Sequence, residues 1–172
     1  MKYMNVVILP DSNQTERSWA SGLDEKFGEM FENSCLQYYD HWFGGLEFAS
    51  IDYESELEKL IAYVDNFGKY VIVGKGAGAL LAIRGIAEGT ITPEVCVFLN
   101  MDPPKEEWLM HYDTPTLFVQ NGIKGGVMSE ELERYLSDLN VSRCEVIGIE
   151  CENNGDEEID KIVELTKRFI DL

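Results

Sequence analysis

Tyr70-Val71-Ile72-Val73-Gly74-Lys75-Gly76-Ala77-Gly78-Ala79-Leu80-Leu81-Ala82-Ile83 decides the reading of this chain. Four β-favouring residues run into three glycines, and the chain continues as an Ala/Leu/Ile helix. A strand that becomes a helix within so few residues must turn sharply. Glycine permits both the positive φ and the close strand–helix approach that such a turn needs.

The rest of the chain repeats the strand–helix alternation. Residues 4–9 form an apolar run closed by Pro10-Asp11-Ser12-Asn13, which reads as a strand and a loop. Asn13 or Thr15 can cap the helix that follows, where Trp19, Leu23, Phe27 and Phe31 make one apolar stripe. A second strand is expected over 36–39, ending in Asp40-His41-Trp42-Phe43-Gly44-Gly45, and Leu57, Leu60, Ile61 and Val64 then repeat at helical spacing. Residues 95–99 are continuously apolar, as in a strand buried on both faces of a parallel sheet. A short helix through Trp108, strands over 115–120 and 145–149, and helices around Leu132 to Leu139 and Ile159 to Ile170 complete the pattern. The fold expected is α/β: a three-layer sandwich with a parallel sheet of about six strands in the order 2-1-3-4-5-6 and helices on both faces. Residues 1–172 are expected to form a single domain, with ligands at the carboxyl ends of the strands.

Composition narrows the partners. Fourteen basic against 32 acidic side chains give a formal charge of -18 over 172 residues. Such a field repels phosphate backbones and anionic bilayers, so neither nucleic acid nor membrane is an expected partner. No apolar run reaches the roughly 18 residues of a membrane span, and the start runs straight into a strand, so a cytoplasmic protein is expected. Cys35, Cys96, Cys144 and Cys151 lack C-x-x-C spacing and read as free thiols, Cys151 alone falling in a loop.

Three stretches resemble the small α/β-hydrolase-fold family, the minimal serine-hydrolase-like proteins. Gly74-Lys75-Gly76-Ala77-Gly78 differs at one position from the nucleophile elbow G-x-S-x-G. Asp113-Thr114-Pro115-Thr116-Leu117-Phe118-Val119-Gln120-Asn121 is similar to the strand whose following loop carries the family's acid. Glu145-Val146-Ile147-Gly148-Ile149-Glu150-Cys151-Glu152-Asn153-Asn154 is similar to the strand whose following loop carries its histidine, so the likeness spans nearly the whole chain. The resemblance implies ester or related acyl hydrolysis by a nucleophile, a base and a carboxylate. At the matching positions stand Gly76, Lys124 (or Gly125) and Asn154 (or Gly155). The expectation is therefore a non-catalytic homologue, a pseudoenzyme that binds a small molecule or a protein partner around Asp11, Ser12, His41, Lys75, Gly76 and Ala77.

Other chemistry is weighed against that reading. A true hydrolase would need an unexpected nucleophile such as Cys151 or Ser12, with His41 as its base; Glu150 and Glu152 should raise the Cys151 pKa. His111 has no supporting context. Gly74-Lys75-Gly76-Ala77-Gly78-Ala79 also fits G-x-G-x-x-G/A of nucleotide folds, with an anion on the amides of Ala77 and Gly78 aided by Lys75. The acidic ribose ligand of that motif belongs about 20 residues on, and Asp102 comes too late. Asp11, Asp40, Asp102 and Glu150 fall at strand ends without metal-loop spacing, so a solvated rim is expected and no metal or cofactor.

Overall fold

A computed structural model describes residues 4–44, 50–124 and 128–171. The elements alternate as β1 (Asn5–Leu9), α1 (Arg17–Gly28), β2 (Ser34–Leu36), α2 (Tyr53–Val64), β3 (Tyr70–Lys75), α3 (Ala77–Ala87), β4 (Val95–Leu99), α4 (Glu106–Leu109), β5 (Thr116–Asn121), α5 (Ser129–Asp138), β6 (Cys144–Ile149) and α6 (Asp156–Ile170). All strand pairs are parallel, in the order β2-β1-β3-β4-β5-β6 expected from the sequence.

Strand alternation divides the interior into two cores. Val7, Leu9, Ile72, Phe98 and Phe118 face α2, α3 and α5, which contribute Leu57, Leu60, Leu81, Ile83, Leu132 and Leu136. Val6, Ile8, Val71, Val73, Val97, Leu99, Leu117 and Val119 face α1 and α6, which bring Trp19, Leu23, Phe27, Ile159, Ile162 and Leu165. Burial on both faces is why β1, β3 and β4 read as unbroken apolar runs.

Two boundaries differ from expectation. β2 pairs through Ser34, Cys35 and Leu36 and not over 36–39, because Tyr39 turns away from the ladder into the core and donates its hydroxyl hydrogen to the Pro10 carbonyl. Asn13 caps a single 3-10 turn, Gln14–Glu16, by accepting from Thr15 N at 3.0 Å, and α1 begins only after it.

Three buried acids give the fold an alkaline limit. Burial pushes the Cys96 thiol and the Tyr39 and Tyr112 phenols well up from ordinary values of 9.0 and 10.0. A raised folded-state pKa favours the neutral form, so its contribution is complete below the unfolded value and falls as pH rises toward the folded one. Stability to urea is expected to drop above about pH 9, steepening to roughly 1.4 kcal/mol per pH unit for each group above its unfolded value. A flat profile between about pH 8 and 11 would contradict this burial.

Candidate functional site

Gly76 stands between β3 and α3 with φ 52° and ψ -117°, a conformation L side chains rarely adopt. Its N–H donates to the Leu99 carbonyl at 2.9 Å, which locks the turn against the end of β4. Gly78 packs directly on the Leu9 carbonyl, where a Cβ would overlap it. That close approach draws residues 10–13 over the turn.

Asp11 follows from this placement. Its Oδ1 accepts from Ala77 N at 2.9 Å and from Ser12 N at 2.8 Å. The space in which a side chain at position 76 would begin is occupied by the Asp11 carboxyl group. Ala77 is the first residue of α3, so the carboxylate rests on an amide at the positive end of a helix. These two amides, one after the turn and one from the β1 loop, have the arrangement of an oxyanion hole, here filled by the chain's own carboxylate.

The β1 loop is pinned from above by a 3-10 segment, Asp40–Phe43. Trp42 Nε1 donates to the Ser12 carbonyl at 2.8 Å, and His41 Nε2 lies 2.7 Å from the same oxygen. A carbonyl only accepts, so His41 carries its proton on Nε2, and its buried Nδ1 has no hydrogen-bond partner among the described residues. Tyr39 stacks on the His41 ring at 5.9 Å. The phenol of Tyr39 is raised by burial first and by the Asp11 and Glu56 charges next. The Tyr53 phenol is raised by burial and then by Asp11 and Asp102, which places both carboxylates near it.

Asp11, Ser12, His41, Gly76 and Ala77 thus come together, and Lys75 does not. One position before the turn, strand alternation sends its side chain to the opposite face, beneath α1 and α6, where it is fully buried. Its Nζ lies 2.8 Å from Glu158 Oε1, 3.2 Å from Glu16 Oε2 and 4.8 Å from the centre of the Trp19 ring. It cannot assist an anion over Ala77, and the role expected for it at the cleft is corrected accordingly.

Asn121 and Asn154 join the same cluster. Asn121, last residue of β5, donates from Nδ2 to Glu158 Oε2 and to the Cys151 carbonyl, both at 2.8 Å. Gly122–Lys124 forms a 3-10 turn; Gly125 and the Lys124 side chain lie outside the described residues. Asn154, at φ 62°, donates to Glu16 Oε1 at 3.1 Å and accepts from Lys75. Cys151 is buried beside Asn121, its thiol pushed up by burial and then by Glu158 and Glu157, the wrong direction for a nucleophile. Asp40 pairs with Lys59 at 2.8 Å, while Asp102 and Glu150 are exposed. Among the described residues no group of three or more His, Cys, Asp and Glu side chains is arranged to hold a metal, and no helix is long and apolar enough to cross a membrane.

Sequence comparison finds no matching family model and no matching curated protein. Solved structures do match. The Est1E protein of Butyrivibrio proteoclasticus, with ferulic acid bound, superposes with a TM-score of 0.72 at 14% identity, over 98% of this chain and 88% of that one. MGS-MChE2, an α/β-hydrolase enzyme from a lagoon-sediment metagenome, gives 0.72 at 11% identity over 98% and 90%. The methylesterase MES16 of Arabidopsis gives 0.64 at 10% identity over 98% and 100%. This chain has the α/β-hydrolase fold.

Proposed function

We propose that this chain is a non-catalytic α/β-hydrolase-fold protein that uses the cleft above its elbow to bind a small molecule or a protein partner. The observation that carries this reading is the Asp11 carboxylate, which takes both the amides that would hold an oxyanion and the space a nucleophile would need. Hydrolysis needs donors aimed at developing negative charge, and a fixed carboxylate there repels that charge. His41 adds to the argument. Its Nε2 proton is committed to the Ser12 carbonyl, and no described hydrogen bond joins the ring to a hydroxyl or thiol. The same carboxylate favours a ligand with a cationic or hydrogen-bond-donating group over an anionic one, in keeping with the formal charge of -18. A nucleotide phosphate is disfavoured for the same reason.

Intact-mass measurement after fluorophosphonate treatment, and separately after iodoacetamide, tests the reading. Neither reagent is expected to label the native protein, whereas heat-denatured protein should take up iodoacetamide at its four cysteines, Cys35, Cys96, Cys144 and Cys151. Native fluorophosphonate labelling mapped to one residue, Ser12 for example, would overturn the non-catalytic reading, and rapid native labelling of Cys151 would point to a thiol enzyme.

A further inference from the structure

The buried cluster around Lys75 holds the reactants of an amide exchange. Lys75 is an amine fully removed from solvent, and its Nζ contacts the side-chain oxygens of Asn154 and of Asn153, the latter at 3.1 Å. Two carboxyl groups flank the pair. Glu158 Oε1 lies 2.8 Å from Nζ, and Glu16 Oε1 accepts from the Asn154 amide nitrogen at 3.1 Å. Glu158 is itself held by Asn121 Nδ2, and by Asn154 N at 3.3 Å.

We propose that Lys75 and Asn154 are joined by an isopeptide bond that the folded chain forms by itself. The ammonium of Lys75 gives one proton to Glu158, which turns a buried ion pair into two neutral groups. The freed Nζ lone pair attacks Cγ of Asn154, and the Cγ–Nδ2 bond breaks. Glu16, already bonded to Nδ2, relays a second Lys75 proton to the departing nitrogen, which leaves as ammonia. One hydrogen stays on the new amide, one leaves in the ammonia, and the third remains on Glu158. No oxidant or co-reactant enters. Each proton transfer runs along a contact already made, and the Nζ contact with Oδ1 of Asn154 brings the amine to the carboxamide it attacks, so the fold supplies the proximity and the general acid and base. The bond ties the elbow end of β3 to the loop before α6. Asn153 is the poorer acceptor because no described carboxyl group holds its amide nitrogen.

The test is made on the full-length chain, purified without reduction or heating. Its intact mass is expected to fall short of the sequence mass by one ammonia. Tandem mass spectrometry of a digest should find the peptides containing Lys75 and Asn154 as one species, stable to hydroxylamine. Asn154→Ser should restore the full sequence mass. An intact mass equal to the sequence mass overturns the proposal. So does ammonia loss that maps to Asn154 and Gly155 alone and makes the chain cleavable there by hydroxylamine, since that is a cyclic imide of the Asn-Gly pair, and so does a cross-link found at Asn153.

Discussion

Gly76→Ser is expected to destabilise the protein by about 3 kcal/mol, lowering its melting temperature by roughly 6–12 °C, and to create no esterase activity. Two costs add. A side chain held at φ 52° and ψ -117° is strained by about 1–3 kcal/mol. Its Cβ would also overlap the Asp11 carboxyl group, forcing that group outward and away from Ala77 N and Ser12 N. Asp11→Ala separates the two. It removes the obstruction but not the strain, so the double substitution should cost less than the sum of the singles by at least about 1 kcal/mol. Additive costs in urea unfolding would mean that Asp11 does not stand over residue 76. Turnover of a p-nitrophenyl ester should stay at background for both variants, because a serine there has no base: His41 presents a proton, not a lone pair, at Nε2. Catalysis by Gly76→Ser would remove the case for a cleft without its reaction.

The fold was legible because β1, β3 and β4 are buried on both faces, and such strands declare themselves in any window that contains them. β2 was less so: Leu36 to Tyr39 reads as a strand, but its far end packs under the β1 loop through Tyr39 and does not extend the ladder. Sequence adjacency misplaced Lys75, since one step along a strand reverses the face. The cluster that receives it did leave a signal. Glu16 stands in register with Ala20, Leu23 and Phe27, and Glu158 with Ile162 and Leu165, so each carboxylate occupies a position on a buried helical stripe. Two acids on apolar stripes and one lysine at the end of an apolar strand imply a buried ion cluster. Asp11 over the elbow left no comparable signal. Its position depends on how the β1 loop settles on α3, which is set by the Gly78 contact with Leu9 and is a property of packing, not of pattern.

Lys75→Met should cost more than any other single change considered, about 3–5 kcal/mol, enough to unfold an ordinary domain or bring it close. Methionine matches the aliphatic stem in volume, so the loss comes from charge and hydrogen bonding. With the ammonium gone, Glu16 and Glu158 are left in an interior where their side chains are at most 5% exposed, and Asn154 loses the donor to its side-chain oxygen. Where Lys75 and Asn154 are joined there is no ammonium to lose, and the substitution removes the cross-link instead, so the sign of the effect does not change. What distinguishes a buried ion cluster from simple overpacking is the response to removing its other members. Replacing Glu16 and Glu158 by methionine in the Lys75→Met background should recover at least half of the lost stability, because a fully apolar cluster is often as stable as a fully paired one, while a half-paired cluster is the worst case. Urea unfolding of the single and triple variants reads this directly. A triple variant less stable than the single one would show that the carboxylates contribute without the lysine, and the electrostatic account of this cluster would have to be abandoned.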